Sequence, residues 1–142
     1  MNYYETIKKK SQRQKEKNDC SVKAVALATG RDYDEVHDAF NRAGRKIRHT
    51  TPRVITDQVV ENMGYIWVDV TLNYDAKTVR MLEKEVTKRK TLIVFVCKHV
   101  LCLRNGKVQD WTAGRMHRVQ EIFELEKHGG EENSRQEAEG LA

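Results

Sequence analysis

The chain has 142 residues, 39% of them hydrophobic, and a formal net charge of +5, which suits one core and is short for two comfortable domains. No apolar run approaches the roughly 18 residues that a bilayer span needs, and the start MNYYETIKKK lacks the apolar stretch of a secretory signal, so no membrane partner is expected and a cytoplasmic location is the default. Three cysteines without an export signal argue against a disulfide framework.

In chain order, residues 1–11 read as a flexible basic N-terminus, and the lysine-rich stretch as far as residue 17 as loosely held. Asn18 and Asp19 are N-cap types, and the run from Cys20 to Thr29 is helix-compatible with Gly30 as its stop. A second helix opens at Asp32, where Glu35 completes a capping-box pattern and Val36, Ala39, Phe40 and Ala43 form an apolar stripe that ends at Gly44. His37 lies about 100° from the Val36 stripe and is expected to face solvent. Arg42, Arg45, Lys46, Arg48 and Arg53 form a second basic cluster, which reads with the N-terminal lysines as solvated surface. No aromatic residues interleave with these charges as a base-stacking platform would require, so nucleic acid is not an expected partner.

Thr51-Pro52 opens a third helix that runs to Gly64. Alternation over 65–72 predicts a strand, 75–89 a helix, and the continuous apolar run 92–97 a strand covered on both faces. Strands 99–104 and 107–111 flank Asn105-Gly106, a strong type I′ hairpin signal. A last helix is expected over 118–127, and the acidic, polar stretch 128–142 as a disordered tail. The expectation is therefore an α+β fold over 12–127, with N-terminal helices packed on a small antiparallel sheet.

Cys20 sits in the predicted first turn of a helix, where the dipole and free N–H groups lower a thiol pKa. With a two-residue turn at Asn105-Gly106, Leu101 falls opposite Asp110, so Asp110 and His99 become diagonal neighbours within side-chain reach. An imidazole oriented by a carboxylate is what a thiol nucleophile requires. The same parity turns Cys102 away from His99, so Cys97, His99 and Cys102 do not read as a metal site; both cysteines read as core residues, and no cofactor is expected. Gln14, six residues before Cys20, can donate to an oxyanion alongside the Cys20 backbone N–H, with Gln12 as the alternative. His49, His117 and His128 have no acidic partner at a telling spacing. Trp67 and Trp111 read as core or cleft wall, with Trp111 placed to shield a His99–Asp110 hydrogen bond.

The block from Gln14 through Asp19-Cys20-Ser-Val-Lys-Ala-Val-Ala-Leu, together with His99-Val-Leu-Cys-Leu and Asp110-Trp111, resembles papain-like cysteine peptidases. It is similar above all to bacteriocin-processing domains that remove double-glycine leaders, and in size to small cysteine-protease-like proteins of bacteriophages. The resemblance implies Cys20 as nucleophile, His99 as base, Asp110 as orienter and Gln14 as oxyanion donor. Ser21 stands where the exporter peptidases usually have glycine. No transporter domain follows, so leader processing during export is not expected. His128-Gly129-Gly130 lacks the apolar residues that leader substrates carry before the cut, because Lys127 and Glu124 occupy those places. The expected function is a phage-encoded thiol hydrolase acting on a peptide, isopeptide or other amide of a host or viral protein. Acyl transfer through the same thioester, and an idle scaffold that binds a host protein or nucleic acid, are the alternatives.

Overall fold

A computed structural model describes residues 3–87 and 89–127; the expected tail 128–142, with His128, lies outside the described residues. The segment expected to be flexible is helix α1 (Tyr3–Arg13), so the packed region begins before residue 12. Tyr3, Tyr4, Ile7 and Ser11 recur at helical spacing and join the core face, while the lysines stay outside. Ile7 is 1% exposed, a burial worth about 1.5–3 kcal/mol. The Tyr3 hydroxyl donates to the Ala26 carbonyl at 3.2 Å, and the Arg104 guanidinium lies 4.3 Å from the Tyr3 ring centroid.

Helices α2 (Cys20–Thr29), α3 (Tyr33–Arg42) and α4 (Arg53–Asn62) follow, close to their expected ranges. Asp32 caps α3 by accepting from the Asp34 and Glu35 backbone N–H groups. Asp19 occupies the N-cap position of α2 but its side chain does not cap. It is 3% exposed and accepts from the Ser11 and Tyr33 hydroxyls, each at 2.7 Å, tying α1 and α3 to the head of α2.

Two residues expected on the surface are buried. His37 is 4% exposed, and its Nε2 lies 2.5 Å from Glu16 Oε2. Arg45 is likewise 4% exposed and forms a fork with Glu16, Nη1 to Oε2 at 2.7 Å and Nη2 to Oε1 at 3.0 Å. Glu16 also accepts from the Arg48 backbone N–H at 2.8 Å. Residue spacing identifies which helix face is apolar but not which charges meet across elements, and here a buried carboxylate draws in a histidine and an arginine. Burial alone raises the Glu16 pKa; the bonds from Arg45, His37 and the Arg48 N–H outweigh it and bring the value to about 2.

The sheet is antiparallel in the order β1-β5-β2-β3-β4, with β1 Tyr65–Asp69, β2 Leu92–Val96, β3 His99–Arg104, β4 Lys107–Gln109 and β5 Glu121–Lys127. The segment expected as a last helix is thus β5, inserted between β1 and β2. Its Ile122 and Leu125 join opposite cores, and pairing on both sides outweighs a short charged stretch that is compatible with helix. Helix α5 (Val79–Glu85) is shorter than its expected range. Ile93, Val100 and Cys102 face the core under α1–α4, whereas Leu92, Val94, Leu101 and Leu103 face Val79 and Leu82 of α5. The run 92–96 is therefore covered on both faces, as expected. Asn105 and Gly106 both have positive φ (54° and 81°), the requirement of a type I′ turn, and Leu103 pairs with Val108 and Cys102 with Gln109 in the expected register.

Replacing Glu16 with Gln leaves the Arg45 guanidinium buried without its counter-charge, and about 3–5 kcal/mol of stability should be lost in urea unfolding at neutral pH. The Glu16 contribution is complete above its ordinary value of 4.5 and is lost as pH falls toward about 2, so the parent chain, unlike Glu16→Gln, should show that acid slope.

Candidate active site

Cys20 is the first residue of α2, where the backbone N–H of the opening turn has no intrahelical acceptor. His99 is the first residue of β3, delivered by the two-residue turn Cys97-Lys98 that joins β2 to β3. The β3–β4 ladder stops at Gln109, so Asp110 lies just beyond it, 9% exposed. The structure brings these three together. His99 Nε2–H donates to Asp110 Oδ2 at 2.8 Å, which leaves Nδ1 for the sulfur, and the Cys20 side chain is hydrogen-bonded to His99 and to the Val100 backbone N–H.

Electrostatics favour the charged pair. Burial works against the Cys20 thiolate, but hydrogen bonds from His99 and the Val100 N–H prevail and hold the thiol below its ordinary 9.0. Burial likewise works against the His99 imidazolium, but hydrogen bonds to Asp110 and Cys20 carry its pKa up to about 9. Both shifts run in the direction of a thiolate beside an imidazolium.

Thr112 is a participant that the sequence reading missed. It is 2% exposed, and both its N–H (3.2 Å) and its hydroxyl (2.5 Å) donate to Asp110 Oδ2. The signal available in the sequence was Asp-x-Thr, in which a side-chain oxygen is bonded two residues on. Trp111 is 57% exposed, and its ring centroid lies 5.6 Å from that of His99, on the cleft wall beside the His99–Asp110 pair.

Gln14 does not join the set. Its amide Nε2 donates to Asp34 Oδ1 at 2.9 Å, because α1 runs up to it and Gln14 N–H still bonds the Lys10 carbonyl, turning the side chain toward α3. Gln12 is exposed on α1. Asn18, with a positive φ of 56° and its amide on the Arg48 carbonyl, lines the cleft instead. Of the other cysteines, Cys102 is in the core as expected, whereas Cys97 is exposed and lines the cleft. Burial pushes the Cys102 thiol up to about 12.

Two depressions meet at Cys20 and His99. One, of about 440 Å³, extends past Lys17, Asn18 and Trp111; the other, of about 490 Å³, extends past Arg53, Phe95 and Gln120. Cys20, Thr50, Lys98 and His99 border both, so the sulfur sits where the two depressions meet to form a groove. Such a groove can present an extended chain to a thiolate while a neighbouring imidazolium holds a proton for a departing group.

Comparison of the chain with family models, with curated proteins and with solved structures found no match.

Iodoacetamide at pH 6 should label Cys20 faster than the more exposed Cys97, with Cys102 protected until unfolding, as read by peptide mass spectrometry. Thr112→Val should raise the apparent thiol pKa of Cys20 in the alkylation-rate profile and Thr112→Ser should restore it; unchanged profiles would show that Thr112 does not position Asp110.

Proposed function

We propose that the protein is a papain-like thiol hydrolase that cleaves peptide or related amide bonds through a Cys20 acyl-enzyme. The carrying observation is the continuous series Cys20, His99, Asp110, with a thiol pKa held down, an imidazole pKa raised to about 9, and the sulfur at the junction of two depressions. The sequence resemblance in the blocks around Cys20 and His99 supports the same reading, and a phage-encoded enzyme acting on a host or viral protein fits its size.

In this mechanism the Cys20 thiolate attacks the amide carbon, and the carbonyl electrons move onto oxygen. The Cys20 backbone N–H, at the positive end of α2, is placed to stabilise that oxyanion. Collapse reforms the carbonyl and breaks the C–N bond, while the His99 imidazolium gives its proton to the departing amine. Neutral His99 then takes a proton from water as the hydroxide attacks the thioester. Breakdown releases the carboxylic acid and restores thiolate and imidazolium. Asp110 accepts from His99 Nε2, fixing the ring so that Nδ1 faces sulfur.

Cys20→Ala should abolish turnover while leaving the circular dichroism spectrum unchanged, and His99→Ala should lower kcat/KM by about 10²–10⁴-fold. Activity should decline as pH rises through about 9, where the leaving-group proton is lost. The direct check is intact-mass detection of a thioester after incubation with a peptidyl ester. An undiminished biological effect from Cys20→Ala would instead assign the scaffold to binding.

A further inference from the structure

The two arms of the groove carry different charges. In the arm past Asn18 and Trp111 every carboxylate is already engaged by the protein. Glu16 has a fully buried side chain held by Arg45 and His37. Asp19, with its side chain 4% exposed, takes the Ser11 and Tyr33 hydroxyls and faces Lys23 Nζ at 3.5 Å. Asp110, 6% exposed at its side chain, is held by His99 and Thr112. The cations there are not matched in the same way. Lys17 and Lys98 line this arm, both are exposed, and neither forms an ion pair among the described residues. Arg115, over the Trp111 ring at 5.0 Å, adds a further positive charge beside the same wall.

The other arm shares Lys98 at the junction and is charge-matched beyond it. Its Arg53 guanidinium is paired with Glu121 at 3.2 Å and Asp57 at 3.4 Å and lies against the Phe95 ring at 4.1 Å. Thr50, Thr51 and Gln120 complete a neutral, polar lining.

From this asymmetry we infer that the groove selects an acidic peptide segment, with its carboxylates bound from Lys98 at the junction out to Lys17 in the arm beside Trp111 and Arg115, and neutral residues in the other arm. This rests on the hydrolase reading for the bond that is cut, but not for the binding itself. A peptide is favoured over nucleic acid because the basic arm is a short recess ending at the sulfur, whereas a polyanion backbone needs a long basic track. Unpaired lysines beside a recess raise the local concentration of anionic segments and discriminate by like-charge repulsion against basic ones.

The test uses the full chain carrying Cys20→Ala, so that binding is read without turnover. Fluorescence anisotropy compares three labelled decapeptides of identical backbone whose variable positions are Glu, Gln or Lys. At low salt the Glu peptide should bind at least tenfold more tightly than the Gln peptide, and the Lys peptide should bind most weakly. Adding Lys17→Glu with Lys98→Glu should remove that tenfold preference, while reversing the remote exposed pair Lys84 and Lys107 should leave it in place. Equal affinities for the three peptides, or equal losses from both reversals, would overturn the inference, as would displacement of the peptide by a 20-nucleotide DNA strand at lower concentration than by unlabelled Glu peptide. Thioester formation by the parent chain is scored separately. Charge-selective binding without acylation would sink the hydrolase reading and keep the acidic groove, and acylation without charge selectivity would do the reverse.

Discussion

The cleft depends on the few residues between α1 and α2, and those residues depend on the Glu16 carboxylate. Lys15 and Asn18 both adopt left-handed backbone geometry at φ 56°, a conformation that costs a non-glycine residue about 1–2 kcal/mol. Glu16 lies between them and is bonded at once by Arg45, His37 and the Arg48 N–H. Arg45 Nη2 also reaches the Lys17 and Asn18 carbonyls, each at 3.4 Å. The ion cluster thus fixes the path of the chain into Asp19 and Cys20, and it joins the loop after α3 to the same point. Removing one partner would expose more than a surface charge: it would release the segment that sets where the sulfur stands.

Asp19 completes this arrangement from the other side. A residue type that ordinarily caps a helix here abandons the cap and binds Ser11 and Tyr33. The exchange leaves the first N–H groups of α2 uncommitted to a capping side chain while locking α1 and α3 against the helix. A capping carboxylate would take the Ser21 or Val22 N–H, whereas the Asp19 carboxylate is spent on two hydroxyls from neighbouring helices.

What could be read from the sequence follows the range of the interactions involved. The His99–Asp110 pairing was legible because it needs only strand alternation and a turn of known length, and Asn105-Gly106 supplied both. The α+β architecture and helices α2 to α4 were legible from local caps and apolar spacing. Gln14 was misread because its position relative to Cys20 in sequence says nothing of the extra helical turn that points it at Asp34. Helix α1 was hidden because its core-facing stripe consists of two half-buried tyrosines, one isoleucine and a serine among lysines. Strand β5 was read as helix because seven charged and apolar residues suit both states, and only the open edges of β1 and β2 decide between them. His37 and Arg45 were placed on the surface because their partner, Glu16, is remote in sequence. The errors share one cause: each was settled by a contact across elements.

Burial at the site opposes both members of the pair it contains. Desolvation alone would raise the Cys20 pKa and lower that of His99, leaving a neutral thiol beside a neutral imidazole. The shifts toward the charged forms come from the Cys20–His99 hydrogen bond, the Val100 N–H on the sulfur, Asp110 on the ring and the attraction between these charges, with Thr112 holding Asp110. His99, with a folded value of about 9 against an ordinary 6.5, adds stability that is complete below the ordinary value and fades as pH rises through about 9. The same bonds thus support the fold and the ionisation together over the neutral range. A hydrophobic isostere at Asp110 would relieve some desolvation cost, but it would remove the hydrogen bond and charge that raise the His99 pKa. The buried carboxylate is accordingly better explained by the charge it maintains on His99 than by any net contribution to stability, since buried ion pairs often contribute little beyond what good apolar packing supplies.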